Sequence, residues 1–99
     1  MKFTELGLSP GTLSSIQALG FETPTPTQAQ AILFLLCESR DLIGLASTGT
    51  GKTAAFGLPL LERVDDSLTA IQAVVLAPTR ELGVQIAEDM KRFAKHRPN

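Results

Sequence analysis

The stretch Leu42-Ile43-Gly44-Leu45-Ala46-Ser47-Thr48-Gly49-Thr50-Gly51-Lys52-Thr53 decides how this 99-residue chain is read. Residues 42–46 form a short continuous apolar run, the pattern of a strand buried on both faces. Residues 47–51 hold two glycines, and from Lys52 to about Arg63 the text reads as a helix. A glycine-bearing loop between a strand and a helix is the context of a phosphate loop. Its glycines let successive backbone N–H groups turn inward onto phosphate oxygens. The helix start adds unpaired amides and a partial positive charge. Lys52 would set an ammonium against the outer phosphates, and the Thr53 hydroxyl would ligate Mg²⁺. The generic loop opens on Gly where this chain has Ala46, while Gly51-Lys52-Thr53 match it. The competing account is a glycine-rich strand-to-helix turn carrying a chance Lys-Thr.

Outward from the loop, Pro59 is expected to kink or shorten the helix that follows. Asp65-Asp66-Ser67 reads as a solvated connection, and residues 72–77 as a second buried strand. Arg80 to about Lys95 reads as an amphipathic helix with Leu82, Ile86, Met90 and Phe93 along one face. Upstream, Ser9-Pro10 opens a helix carrying Leu13, Ile16, Gln17 and Leu19, and Gly20 stops it. Phe21 to Pro24 is an extended connector. Thr25, Pro26 and Gln28 form a capping-box start to a helix running through Ile32, Leu35 and Leu36 to about Cys37. That helix is apolar on most sides, so it is expected to be buried. A strand-helix-strand order implies a parallel sheet in an α/β fold.

The chain is 43% hydrophobic and 19% charged, which places it among globular sequences. A net charge of −1 excludes a module that binds nucleic acid by bulk positive charge. Lys91, Arg92, Lys95 and Arg97 nevertheless crowd the end, as a solvated helix terminus or a local basic patch. The single cysteine, Cys37, excludes an internal disulfide and a multi-cysteine zinc cluster, and reads as a small buried apolar residue. His96 is the single histidine. The longest apolar stretch, residues 31–37, is far short of the ~20 residues a membrane span needs. With no signal-peptide run at the N-terminus, the expectation is a soluble, cytoplasmic protein with no membrane partner. Base stacking would have to use one of five phenylalanines, as there is no Trp or Tyr.

Residues 46–53 resemble the Ala-x-Thr-Gly-x-Gly-Lys-Thr loop of DEAD-box RNA helicases. Two further segments match that family in its order. Gly20-Phe21-Glu22-Thr23-Pro24-Thr25-Pro26-Thr27-Gln28 resembles the Q motif, with Phe3 at the distance of the family's isolated upstream aromatic. Ala77-Pro78-Thr79-Arg80-Glu81-Leu82 resembles motif Ia. The resemblance implies ATP and Mg²⁺ as cofactors and RNA as partner. It implies an incomplete RecA-like three-layer fold, with parallel strands flanked by helices. Residues 1–38 would be a Q-motif helical region, and 39–99 the N-terminal part of the ATP-binding domain. Phe3, Gln28 and Ala46, Ser47, Thr48, Gly49, Thr50, Gly51, Lys52 and Thr53 would bind nucleotide. Lys52 and Thr53 would serve the chemistry, and Thr79 and Arg80 would touch the RNA backbone. Thr27, Leu33, Ser39 and Ser47 depart from the family's usual residues without removing a phosphate-binding group.

Some of these residues carry two readings. Gln28 either only closes the capping box with Thr25 or also reads adenine, its oxygen accepting the amino hydrogen and its nitrogen donating to N7. Phe3 either stacks on adenine or anchors the N-terminus on the first helix. Thr79 and Arg80 are a helix cap and a first-turn charge, or an RNA contact. The family's acidic box, its Ser-Ala-Thr motif and its second domain are not among these 99 residues. The expectation is therefore a piece of an ATP-dependent RNA helicase that does not turn over alone and that lacks neighbours for its strands. It would self-associate through strand edges or repack its helices. The alternatives are a non-catalytic nucleotide-binding or assembly module, and another P-loop ATPase such as a DNA helicase.

Overall fold

Ser9 and Thr25 each hold an extended backbone, with ψ of 158° and 162°, directly before a proline at the first helical position. Proline lacks the N–H that a first turn cannot pair anyway, so both sites start helices cleanly. A computed structural model describes residues 1–44 and 51–97. After a 3-10 turn at Phe3–Glu5 come α1 (Pro10–Ala18), α2 (Pro26–Cys37), α3 (Lys52–Arg63) and α4 (Arg80–Phe93). The helices stand where the sequence places them, and α4 ends two residues earlier than expected. Gly20, at φ +88°, closes α1: its N–H bonds the Gln17 carbonyl at 3.0 Å and the Phe21 N–H bonds that of Ile16 at 2.9 Å. This double closure needs a left-handed residue, which glycine adopts without strain.

Ile16, Ile32 and Leu58, one each from α1, α2 and α3, are fully buried. Phe3, Leu6 and Leu8 join them from the N-terminal segment, and Phe93 from α4. Phe21 lies between Phe3 and Phe93, with ring centroids 5.8 and 6.0 Å away. The core thus draws on both ends of the chain. Pro59 is buried inside α3 and does not shorten it. Tertiary packing of Leu58 and Pro59 outweighs the one helical hydrogen bond that proline forfeits.

A polar cluster ties the termini together. Glu62 Oε1 accepts from the Ser9 N–H at 3.2 Å, Ser9 Oγ at 3.0 Å and Thr12 Oγ1 at 2.7 Å. Arg97 reaches Glu62 at 3.5 Å and Asp66 at 3.3 Å with its side chain only 12% exposed. The His96 N–H donates to Ser15 Oγ at 3.1 Å. Arg97 is therefore a clamp joining α1, the end of α3 and the segment after α4, not part of a solvated helix end. At the end of α2, Arg63 donates to the carbonyls of Leu35 and Glu38, which closes that helix with a cation instead of a glycine.

Several expectations are not met. Among the described residues there is no strand, so the α/β layering is not visible there. Residues 41–44 and 71–77 belong to no helix or strand, and they are not buried. Ile43 is 88% exposed, Ile71 88%, Val74 76% and Leu76 89%. The described parts of the two segments share no backbone hydrogen bond, and a strand is stable only when its amides pair with a neighbour. Cys37 is exposed, because it lies on the last turn of α2. Only Gln28 and Ile32 of α2 are buried; its other apolar side chains from Ala29 to Leu36 are half-buried. No described helix is long and apolar enough to cross a membrane.

Candidate functional site

The site is built where α2 and α3 begin. Thr25 caps α2: the Gln28 N–H donates to Thr25 Oγ1 at 3.2 Å, and the Thr25 N–H donates back to Gln28 Oε1 at 2.9 Å. This reciprocal pair holds the Gln28 side chain against the helix start, only 6% exposed. Its Nε2 donates to the Gly51 carbonyl at 3.3 Å. Gly51 is the last residue of the predicted phosphate loop and the N-cap of α3, with φ +75° and ψ +35°. A Cβ built on Gly51 would collide with Gln28 Nε2. Backbone conformation and contact therefore both select glycine at this position.

The capping box and base recognition are compatible in the same side chain. The Gln28 oxygen has a second lone pair beyond the Thr25 bond, and Nε2 has a second hydrogen beyond the Gly51 bond. One acceptor and one donor remain, which is the pair an adenine edge requires.

Gln28, Gly51, Lys52 and Thr53 line one cavity of about 780 Å³. Lys52 is exposed and takes part in no ion pair among the described residues; Thr53 is half-buried. An uncommitted ammonium, a hydroxyl beside it and the free amides of the α3 N-terminus suit a polyphosphate. No cluster of three metal-ligating side chains occurs among the described residues. The predicted contacts Ala46, Ser47, Thr48, Gly49 and Thr50 lie outside the described residues.

Other predicted residues stand apart. Phe3 does not line this cavity; it is 3% exposed in the core and borders a separate cavity with Gln17, Phe21 and Thr23. Thr79 caps α4 by accepting from the Leu82 N–H at 3.2 Å, and both Thr79 and Arg80 are exposed. They sit at the head of α4, while the cavity is lined further along that helix by Leu82, Gln85, Asp89 and Arg92. Gln85 and Asp89 were not singled out from the sequence, and Arg92 was read only as part of the C-terminal basic cluster. Their signal was present as a polar stripe spaced four and three residues apart, beside the apolar stripe that was named. Asp65, whose carboxyl the Ser67 hydroxyl and N–H hold below its ordinary range, lies outside the cavity.

The DEAD/DEAH box helicase family profile matches residues 25–99. Over 95 residues the chain is 52% identical to the DEAD-box ATP-dependent RNA helicase CshA of Bacillus cereus, covering 96% of this chain and 18% of that protein. Over 94 residues it is 54% identical to the ATP-dependent RNA helicase DeaD of Escherichia coli, covering 95% and 15%. Among solved structures, Saccharomyces cerevisiae Dbp5 bound to RNA and ADP BeF3 superposes with a TM-score of 0.92 at 42% identity, over 95% of this chain and 24% of that one. A DEAD box protein from Methanococcus jannaschii superposes with a TM-score of 0.93 at 40% identity, over 100% and 27%. The chain thus spans less than a fifth of the length of these curated relatives.

Proposed function

This chain belongs to the DEAD/DEAH box helicase family, and we propose that it is the ATP-binding N-terminal portion of an ATP-dependent RNA helicase. Gln28 reads the adenine edge. Gly51, Lys52 and Thr53, with residues 46–50, take the phosphates, and Thr53 shares a Mg²⁺ with them. Thr79 and Arg80 meet the RNA sugar-phosphate backbone. Bound ATP supplies the phosphoryl group whose transfer to water drives RNA remodelling in a longer architecture. The residues of this chain bind and orient it.

The observation that carries this proposal is the hydrogen bond from Gln28 Nε2 to the Gly51 carbonyl. It joins a base-reading amide to the end of the phosphate loop, in a cavity that Lys52 and Thr53 also line. A reader of adenine and a holder of phosphate are useful together only for one nucleotide.

Titration with ATP and with a Lys52→Ala variant tests the assignment. The ammonium is exposed and outside the core, so its loss should remove most triphosphate affinity and leave thermal unfolding unchanged. Equal affinities would overturn the assignment. Phosphate release by the 99-residue chain, with or without RNA, is expected to stay at background. Phosphoryl transfer depends on positioning the attacking water and on a second set of charges, and the matched family motifs supply neither.

A further inference from the structure

We propose that α4 forms the opposite wall of the nucleotide cavity, with Arg92 on it carrying part of the charge that holds a polyphosphate and Asp89 as the opposing counter-charge. This rests on the nucleotide assignment above. Gln85, Asp89 and Arg92 lie on one face of α4, and all three line the cavity shared by Gln28, Lys52 and Thr53. Arg92 Nη1 donates to Asp89 Oδ1 at 2.8 Å, with the two side chains 54% and 27% exposed.

A pair this open to water contributes little to folding, so stability does not explain its place on a cavity wall. The bond to Asp89 uses one of the five guanidinium donors and leaves others for phosphate oxygens. Asp89 sets a negative charge on the same wall. It repels an anion in proportion to the anion's charge and competes with it for Arg92. The two residues therefore act on nucleotide affinity with opposite signs. The rival account has Arg92 serving only the C-terminal end of the α4 dipole. That role would not depend on how many phosphates a ligand carries.

Isothermal titration of the whole chain with AMP, ADP and ATP separates the two. Arg92→Gln should weaken ATP by about threefold, the effect of one half-exposed charge, and AMP by clearly less. Asp89→Asn should tighten ATP by a similar factor, and both effects should shrink in high salt. Thermal unfolding of each variant, run alongside, should match the parent. Equal changes for all three nucleotides, changes of the same sign in both variants, or no change would each overturn the proposal. A parent chain that binds no nucleotide, or a Lys52→Ala variant that binds as well as the parent, would instead remove the nucleotide assignment, and this inference with it.

Discussion

Gln28 and Gly51, 23 residues apart in the chain, are joined by a 3.3 Å hydrogen bond from the glutamine amide to the glycine carbonyl. The same carbonyl accepts the Ala55 N–H at 3.1 Å inside α3. The start of α2 is thereby tied to the start of α3, and the amide that would meet a base is set beside the groups that would meet phosphates.

Gly51→Ala should damage both functions of this joint. The new Cβ must displace the Gln28 amide, and alanine at φ +75° adds strain of about 1–2 kcal/mol. We expect a lower unfolding midpoint in urea and a loss of ATP affinity. A variant that unfolds and binds like the parent would mean that the Gln28–Gly51 contact is not made in solution.

Base choice follows from Gln28. Guanine presents two acceptors at the edge where adenine presents a donor and an acceptor, so one of the two amide contacts turns repulsive. Gln28→Ala should cut the preference for ATP over GTP by ~1–3 kcal/mol, in line with bidentate amide–adenine pairs elsewhere. Competition titration measures it. Equal binding of ATP and GTP by the parent chain would leave Gln28 as a helix cap alone.

Arg97 makes a stability prediction. Arg97→Gln leaves Glu62, whose side chain is 15% exposed, without its cation, and removes the Arg97 contact from Asp66 as well. Breaking a buried pair on one side costs about 3 kcal/mol where water is fully excluded, and somewhat less here. The urea midpoint should fall. Nucleotide affinity measured well below that midpoint should not change, because Arg97 does not line the nucleotide cavity.

The segment around Val74 predicts self-association. Residues 67–79 carry no charge, and Ile71, Val74 and Leu76 are all more than three-quarters exposed. A second cavity, of about 460 Å³ and mostly apolar, runs along Val74, Val75 and Leu76 against Phe56, Pro59 and Ile86. An exposed, apolar and uncharged segment is a template for strand pairing with another copy. Sedimentation should show concentration-dependent association, and Val74→Lys should suppress it. A concentration-independent monomer would contradict this.

Local chemistry alone determined the helices. Ser9-Pro10, the Thr25–Gln28 capping box, Gly20 and Thr79 act within a few residues of themselves, so their effect can be read without knowing what packs nearby. The motif spacing likewise brought out Gln28, Gly51, Lys52 and Thr53 as candidates, since a phosphate loop is a local object. What no local pattern could decide was partnership between distant parts of the chain. An apolar run such as residues 72–77 becomes a strand only if another strand offers it amides, and among the described residues none does. Arg97 looked like one solvated cation among four until folding set it beside Glu62 and Asp66, 35 and 31 residues away. That Phe3 sits in the core against Phe21 was equally out of reach of a local reading. Arg92 was one cation of the C-terminal cluster, and Gln85 and Asp89 carried no signal beyond their spacing, until the packing of α4 set all three on the same cavity as Lys52. In each case the deciding quantity was burial or a contact across long sequence separation, which only the closed tertiary structure supplies.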